Sequence, residues 1–130
     1  MAGLKAAISA PTWPGINGKF IPDSFNDFSF SKLVNDPLIV QFIHRCTGYI
    51  LFILSLIFIT IPKPKHSVFD FLRGSFMVLI LVQVSLGIIS LLQATGHLFI
   101  WFAVIHQFVA MLIVLCIVGL LYLTKSRSVI

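Results

Sequence analysis

Charged side chains are scarce in this sequence. Of its 130 residues only 10% are Asp, Glu, Lys or Arg, whereas 58% are hydrophobic and the mean hydropathy is +1.06. Such a composition excludes an ordinary soluble domain. The apolar residues form three runs, 37–61, 67–94 and 98–123, and each is as long as the roughly 20 residues needed to cross a bilayer. The sequence therefore predicts an all-α membrane protein with three transmembrane helices.

Acidic residues are scarcer still, with four Asp and Glu against nine Lys and Arg, so the formal net charge is +5. Nucleic-acid binding is one explanation of such an excess, but the placement of the charges argues against it. They cluster in the predicted loop 62–73 and the tail 124–130, at Lys63, Lys65, Arg73, Lys125 and Arg127. The positive-inside rule makes both regions cytoplasmic and leaves the N-terminus outside. The charge therefore predicts an orientation in the lipid bilayer and no nucleic-acid partner.

Cysteine is also rare, with one residue in the first run and one in the third. At about 1.5 Å per residue, Cys46 and Cys116 lie at depths that differ by roughly 13 Å. A disulfide needs Cα atoms within about 7 Å. We therefore interpret both cysteines as packing residues. The sequence also lacks a zinc-type Cys/His spacing, a phosphate-binding glycine loop and a nucleophile triad.

Residues 1–36 precede the first run. The apolar stretch at their beginning is too short to span a membrane. Residues 1–9 lack the features of a signal peptide, and we interpret them as the outer end of a preceding helix. The remainder is predicted to be an extracytoplasmic loop whose aromatic residues form either a lid over a cofactor or an interfacial segment. Asp36 and Pro37 are typical of a helix start. Because four helices pack readily around a ligand, we predict an incomplete four-helix bundle, either a fragment or a small subunit that pairs with another chain.

Two histidines lie inside the apolar runs, where ionisable residues are costly and usually functional. His44 is seven residues past Pro37 and His106 is eight past Leu98. Both helices run in the same direction, so the two imidazoles should lie level, roughly 10–12 Å below the outer end. Two imidazoles at one height on different helices can take both axial positions of a haem iron. A single membrane histidine is more often a polar contact, so the prediction depends on the pair.

Small residues accompany both histidines, as a macrocycle beside them requires. Gly48 lies one turn after His44, and alanines flank His106 on its helix face. Gln83 and Gly87 begin a small, polar stripe on the middle helix. Such stripes serve equally well as helix contacts in membranes, and for the middle helix both interpretations stay open.

Two further polar residues adjoin the predicted site. Arg45 lies at a depth where a bare guanidinium is expensive. One interpretation is that its planar guanidinium binds a haem propionate. The other is that the side chain snorkels to the outer interface. The two interpretations are compatible if the propionates point outward. Gln107, beside His106, is either a hydrogen-bonding partner of the site or a contact between helices. His66 and His97 are interpreted as ordinary loop residues.

Several segments can be compared with known families: AGLKAA at 2–7, APTWP at 10–14, NDP at 35–37, VQFIHR at 40–45, QVSLGI at 83–88 and HQ at 106–107. Together they resemble the second half of haem A synthase, and the resemblance covers nearly the whole chain in the right order. No single motif decides the matter, but together they are specific.

The resemblance implies a family with two similar four-helix halves that oxidises a methyl group of haem O to the formyl group of haem A. His44 and His106 match the histidine pair of the second half, which holds haem b as an accessory cofactor. In the first half, the position three before the His-Arg motif is typically a glutamate thought to take part in catalysis, and here it is Gln41. The chain alone is therefore expected to be inactive. The implied partners are the catalytic half or another membrane subunit, with haem O synthase or cytochrome oxidase assembly as further possibilities, in the bacterial inner membrane.

Two other classes of protein compete with this interpretation. One is a bis-histidine cytochrome b subunit that transfers electrons in the membrane without being an enzyme itself. The other is a haem-free assembly or scaffold protein. A haem spectrum separates the last from the first two, and conversion of haem O to haem A separates the synthase from the cytochrome.

Overall fold

The computed structural model describes residues 6–27, 29–61, 67–96 and 99–125. Within them the chain forms two short helices, α1 (Ala6–Ser9) and α2 (Lys32–Asn35), and three long ones, α3 (Pro37–Thr60), α4 (Ser67–Leu92) and α5 (Phe99–Lys125). The long helices are of sufficient length and hydropathy to cross a membrane. This confirms the predicted all-α membrane fold with three spans.

The start of α3 follows from its first two residues. The Asp36 carboxylate accepts hydrogen bonds from the backbone N–H groups of Leu38 and Ile39, at 2.8 and 3.3 Å. Pro37 occupies the first helical position, where its missing N–H costs nothing. The helix ends at Thr60, and Ile61 is extended with φ −68° and ψ 132°. An extended conformation is expected there because the next residue is a proline.

Most of the other boundaries differ from the predicted ones by one or two residues. Helix α4 ends at Leu92 instead of 94, and α5 covers Phe99–Lys125 where 98–123 was predicted. Helix α4 begins at Ser67, the predicted start of the second span, so residues 67–73, which were also assigned to the loop 62–73, lie in the helix. The loop histidines His66 and His97 lie outside the described residues.

The apolar core lies in the half of the bundle that contains the end of α3, the beginning of α4 and the end of α5. Its buried residues are Phe69, Phe76, Ile80 and Leu120. Helix α3 joins this core through Phe58, whose ring centroid lies 5.9 Å from that of Phe76 in an edge-to-face arrangement. Gly119 allows α5 to approach α4 closely, since a Cβ there would lie 3.0 Å from Leu72. The outward faces of the long helices remain apolar and exposed, as a lipid environment requires.

Arg73 connects α4 to the end of α3. Although it was counted with the loop charges, it lies on α4 and is only 7% exposed. Its Nη2 donates to the carbonyl of Phe58 at 2.9 Å and also to that of Ile59. The guanidinium lies 5.3 Å from the Phe58 ring centroid. Carbonyls in the last turn of a helix lack intrahelical partners, so the arginine satisfies groups that would otherwise be unpaired.

Residues 10–35, the N-terminal segment, fold over the beginning of α3. Ile16 and Lys19 exchange backbone hydrogen bonds of 2.7 and 3.1 Å around a two-residue turn. Asn17 and Gly18 occupy that turn with φ of 50° and 83°, the left-handed conformation that Asn-Gly turns favour. Phe25 packs against Phe42 of α3 with a centroid distance of 5.2 Å. The described residues of this segment are therefore attached to the beginning of α3.

Replacing Arg73 tests whether this side chain fastens α3 to α4. Arg73→Leu removes the hydrogen bonds to the α3 carbonyls and the contact of the cation with Phe58. We expect the free energy of unfolding in lipid nanodiscs to fall by about 1–3 kcal/mol. Arg73→Lys keeps the charge but not the planar guanidinium, so its free energy of unfolding should lie between those of the parent and of Arg73→Leu. Equal stability of the Leu variant and the parent would contradict this role.

Candidate functional site

His44 of α3 and His106 of α5 face each other in the half of the bundle away from the apolar core. Their ring centroids are 6.4 Å apart and the ring planes make an angle of 66°. His106 is half-buried and His44 is exposed. The structure thus brings together the two histidines that the sequence places at equal depth.

The separation of the rings can be compared with that of two imidazoles on one metal. With metal–nitrogen bonds of about 2 Å on opposite sides, the ring centroids would be roughly 6 Å apart. The observed distance is close to this value. The donor set also suits haem iron, because the porphyrin supplies the equatorial ligands and the protein needs to supply only two axial ones.

His106 is oriented by Gln83 of α4. Its Nδ1 lies 3.1 Å from the Gln83 carbonyl oxygen, and its Nε2 lies 3.1 Å from the Gln83 side-chain nitrogen. A carbonyl can only accept, so Nδ1 carries the proton and Nε2 offers its lone pair to the amide. Such a bond at Nδ1 is common in metal-ligating histidines. Here Nε2 also accepts from the Gln83 amide, so binding a metal through Nε2 would require that amide to release it. The Gln83 Oε1 is buried without a partner, so this amide is incompletely satisfied.

Gly87 provides the surface of α4 on which the His106 ring rests. A Cβ at this position would lie 3.1 Å from Cε1 and 3.6 Å from Nδ1 of His106. The absence of a side chain therefore allows the ring to reach the Gln83 carbonyl one turn earlier on α4. The sequence left the role of the stripe of small residues on α4 open. At Gly87 this stripe contacts the imidazole of His106 on α5.

The space beside His44 is open within the described part of the chain. A Cβ built on Gly48, one turn further along α3, would meet no atom within 4 Å. Gln107 is exposed on α5, and its predicted role at the site stays a prediction. The assignment of these residues to cofactor binding likewise stays a prediction.

Arg45 is bound to the N-terminal segment. Its two terminal nitrogens donate to four backbone carbonyls at distances of 2.8 to 3.3 Å, those of Ala10, Thr12, Pro14 and Gly15. In the structure the guanidinium is compensated by these oxygens. The predicted ion pair with a haem propionate stays a prediction, and it would require the guanidinium to share or exchange these partners.

Gln41 is the residue of this region whose contacts the sequence did not reveal. It is 1% exposed, and its Nε2 donates to the Ala10 carbonyl at 3.1 Å. Its Oε1 is buried without a partner. The available signal was its position one turn before Arg45, together with the requirement that a glutamine in a membrane helix find a partner inside the protein.

A cavity of about 460 Å³ lies between the N-terminal segment and α3. Trp13, Phe20 and Ile21 form part of one wall, and Phe42, Cys46 and Tyr49 form part of the other. Arg45 also lines it. Cys46 and Cys116 are both free thiols. Among the described residues, no group of three or more His, Cys, Asp and Glu side chains could hold a metal ion.

These features define a helical membrane protein in which two histidines of different spans oppose each other. The family model described as cytochrome oxidase assembly protein matches residues 1–118, and the chain belongs to that family. The comparison with solved structures gave no significant match.

Curated relatives of the chain bear the name "Heme A synthase". The protein of Bartonella henselae is 41% identical over 120 residues, which are 89% of this chain and 32% of the relative. That of Pelagibacter ubique is 37% identical over 118 residues, 87% of this chain and 33% of the relative. That of Rickettsia africae is 34% identical over 129 residues, 97% of this chain and 37% of the relative. The chain thus spans about a third of the length of these relatives.

Gly87→Ala tests whether the His106 ring needs a glycine at this position of α4. The added methyl would push against the imidazole and displace it from the Gln83 carbonyl. We expect a loss of about 1–3 kcal/mol in the free energy of unfolding, typical of overpacking. Gly74→Ala, on the same helix, meets no atom within 4 Å and is the matched control. It should be neutral or stabilising by up to about 1 kcal/mol. The same effect of both substitutions would contradict this contact.

Proposed function

We propose that this chain is the haem b-binding half of a haem A synthase, the enzyme that oxidises haem O to haem A for cytochrome oxidase. The observation that carries the proposal is the opposed pair His44 and His106 at 6.4 Å between ring centroids. Membership of the family and the name of the relatives support the activity. The spacing of the rings, the donor set and the bond from His106 Nδ1 to the Gln83 carbonyl support the haem.

In this function the two imidazoles would hold the iron through one nitrogen each. The Gln83 carbonyl would keep the proton of His106 on Nδ1, Nε2 would exchange the Gln83 amide for the iron, and Gly87 lets the ring lie in that position. Gly48 leaves lateral space next to His44. A bound haem b would supply one-electron transfer. Neutral imidazoles are the form that ligates a metal.

The chain itself lacks the carboxylate expected in the catalytic half. Gln41 occupies that position and its amide donates a hydrogen bond to a backbone carbonyl. A glutamine cannot act as a general base. We therefore propose that oxidation takes place in a catalytic half, that this half or another membrane subunit completes the bundle, and that the chain alone is inactive. Haem O synthase and other factors of cytochrome oxidase assembly are candidate partners.

The proposed location is the bacterial inner membrane, with the N-terminus outside and the C-terminus in the cytoplasm. The basic residues near the end of α5 and between α3 and α4 support this orientation. It places the histidine pair in the outer half of the bilayer and the apolar core in the inner half.

A second candidate is a cytochrome b subunit that only transfers electrons. The histidine pair without a nearby catalytic carboxylate favours it, because a bis-histidine haem is complete as an electron carrier. Both candidates predict the same haem spectrum, so activity must decide between them.

Haem binding and activity are tested separately. We expect the purified protein to show the spectrum of a six-coordinate, low-spin haem b. His44→Ala and His106→Ala should each lose this spectrum because one axial ligand is removed. His66→Ala, with its histidine outside the three spans, is the matched control and should retain it. A protein without haem, or variants with an unchanged spectrum, would contradict the assignment.

The synthase activity requires the complementary half. Membranes that contain both halves should convert haem O to haem A, measured by chromatography of the extracted haems. The chain alone should not. If the histidine pair binds haem but no conversion occurs with the catalytic half present, the electron-transfer subunit becomes the better explanation.

A further inference from the structure

The carbonyl of Ala10 is held by two side chains of α3 at once. Gln41 Nε2 donates to it at 3.1 Å and Arg45 Nη2 at 3.3 Å. These residues are four apart, so they lie on one face of α3, one turn from each other. Gln41 is fully buried there, as is Ala10. The end of α1 is therefore fixed to a definite turn of α3.

Arg45 extends this attachment into the N-terminal segment. The guanidinium also donates to the carbonyls of Thr12, Pro14 and Gly15 at 2.8, 3.1 and 2.9 Å. A permanently charged arginine within a span needs such compensation, and converging backbone oxygens supply it. Residues 10–15 are thus wrapped around one side chain, and their release from α3 would leave its charge without these partners.

The same turn of α3 carries His44. It lies three residues after Gln41 and one before Arg45, so the two anchors flank it on both sides within a single helical turn. A rotation or shift of this turn would move both anchors and stretch their hydrogen bonds. The position of the N-terminal segment and that of the His44 ring are therefore coupled through the helix backbone.

We propose that Gln41 and Arg45 are positioning residues that couple the N-terminal segment to His44, so that residues 10–15 set the geometry in which His44 meets its iron. The inference rests on the proposed haem site. The proposed role of Gln41 depends on its side-chain amide, whose nitrogen donates to the Ala10 carbonyl. A carboxylate in its place would face the Ala10 carbonyl, acceptor against acceptor, and would compete for the guanidinium one turn away.

Three variants of different severity test the coupling in the haem-loaded chain in nanodiscs. Gln41→Leu keeps the volume and removes one hydrogen bond to Ala10. Gln41→Glu removes the same bond and offers Arg45 a competing partner. Arg45→Lys keeps the charge but cannot reach four carbonyls from one fork. Thr47→Ala, on an exposed position of α3 outside these contacts, is the matched control.

The first readout is limited trypsin cleavage after Lys19, an exposed residue of the N-terminal segment. Release of the segment should raise the cleavage rate by about ten-fold in Gln41→Glu and Arg45→Lys, as expected when hydrogen bonds to a charged group are lost from a local opening equilibrium. Gln41→Leu should show a smaller increase, and Thr47→Ala none.

The second readout is the haem itself. Electron paramagnetic resonance of the ferric state reports the arrangement of the two axial imidazoles, and carbon monoxide binding to the ferrous state reports loss of one of them. We expect the variants with faster cleavage to show an altered low-spin signal and carbon monoxide binding, in the same order of severity.

Each outcome decides. Faster cleavage with an unchanged haem signal means that the contacts are structural only, and overturns the coupling. Unchanged cleavage with loss of haem in the Arg45 variant alone means that Arg45 acts on the haem propionates, and also overturns it. If the parent protein binds no haem, the proposed function fails and the coupling to an iron fails with it, whereas an unchanged haem signal in a parent that does bind haem overturns the coupling alone.

Discussion

Polar groups within the three spans must find their partners inside the protein, because hydrocarbon offers none. The arrangement of the chain follows from this constraint. Arg73 binds carbonyls in the last turn of α3, and Arg45 binds carbonyls of the N-terminal segment. His106 binds the backbone carbonyl and the side-chain nitrogen of Gln83. Each of these contacts joins two different elements. The polar side chains therefore determine which elements meet, while the apolar residues fill the space between them.

The bundle is divided into two halves with different chemistry. The half around Phe69, Phe76 and Leu120 contains the apolar core and is closed by Arg73. The other half contains the histidine pair, the amide of Gln83 and the segment held by Arg45. The histidine pair thus lies outside the cluster of buried apolar side chains.

The sequence was sufficient for the three spans and for the start of α3, since span length, hydropathy and the pair Asp36–Pro37 depend on local properties. It also brought His44 and His106 to one level, because helical rise converts sequence distance into depth. It did not reveal the contacts of Gln41, Arg45 and Arg73. Their partners are backbone carbonyls up to 35 residues away in the chain, and a carbonyl has no residue type by which a pattern could identify it. The role of Gly87 was ambiguous for a related reason, because only the rotation of α5 about its axis decides which side chain covers it.

The close antiparallel pairing of α4 and α5 has a consequence for biogenesis. These two helices contact each other far more extensively than either contacts α3. They form a hairpin that already contains His106, its hydrogen-bonding amide and the glycine beneath it. Because α3 precedes this hairpin in the chain, it enters the bilayer first, and the hairpin then brings His106 to it with the imidazole already oriented by contacts within the hairpin.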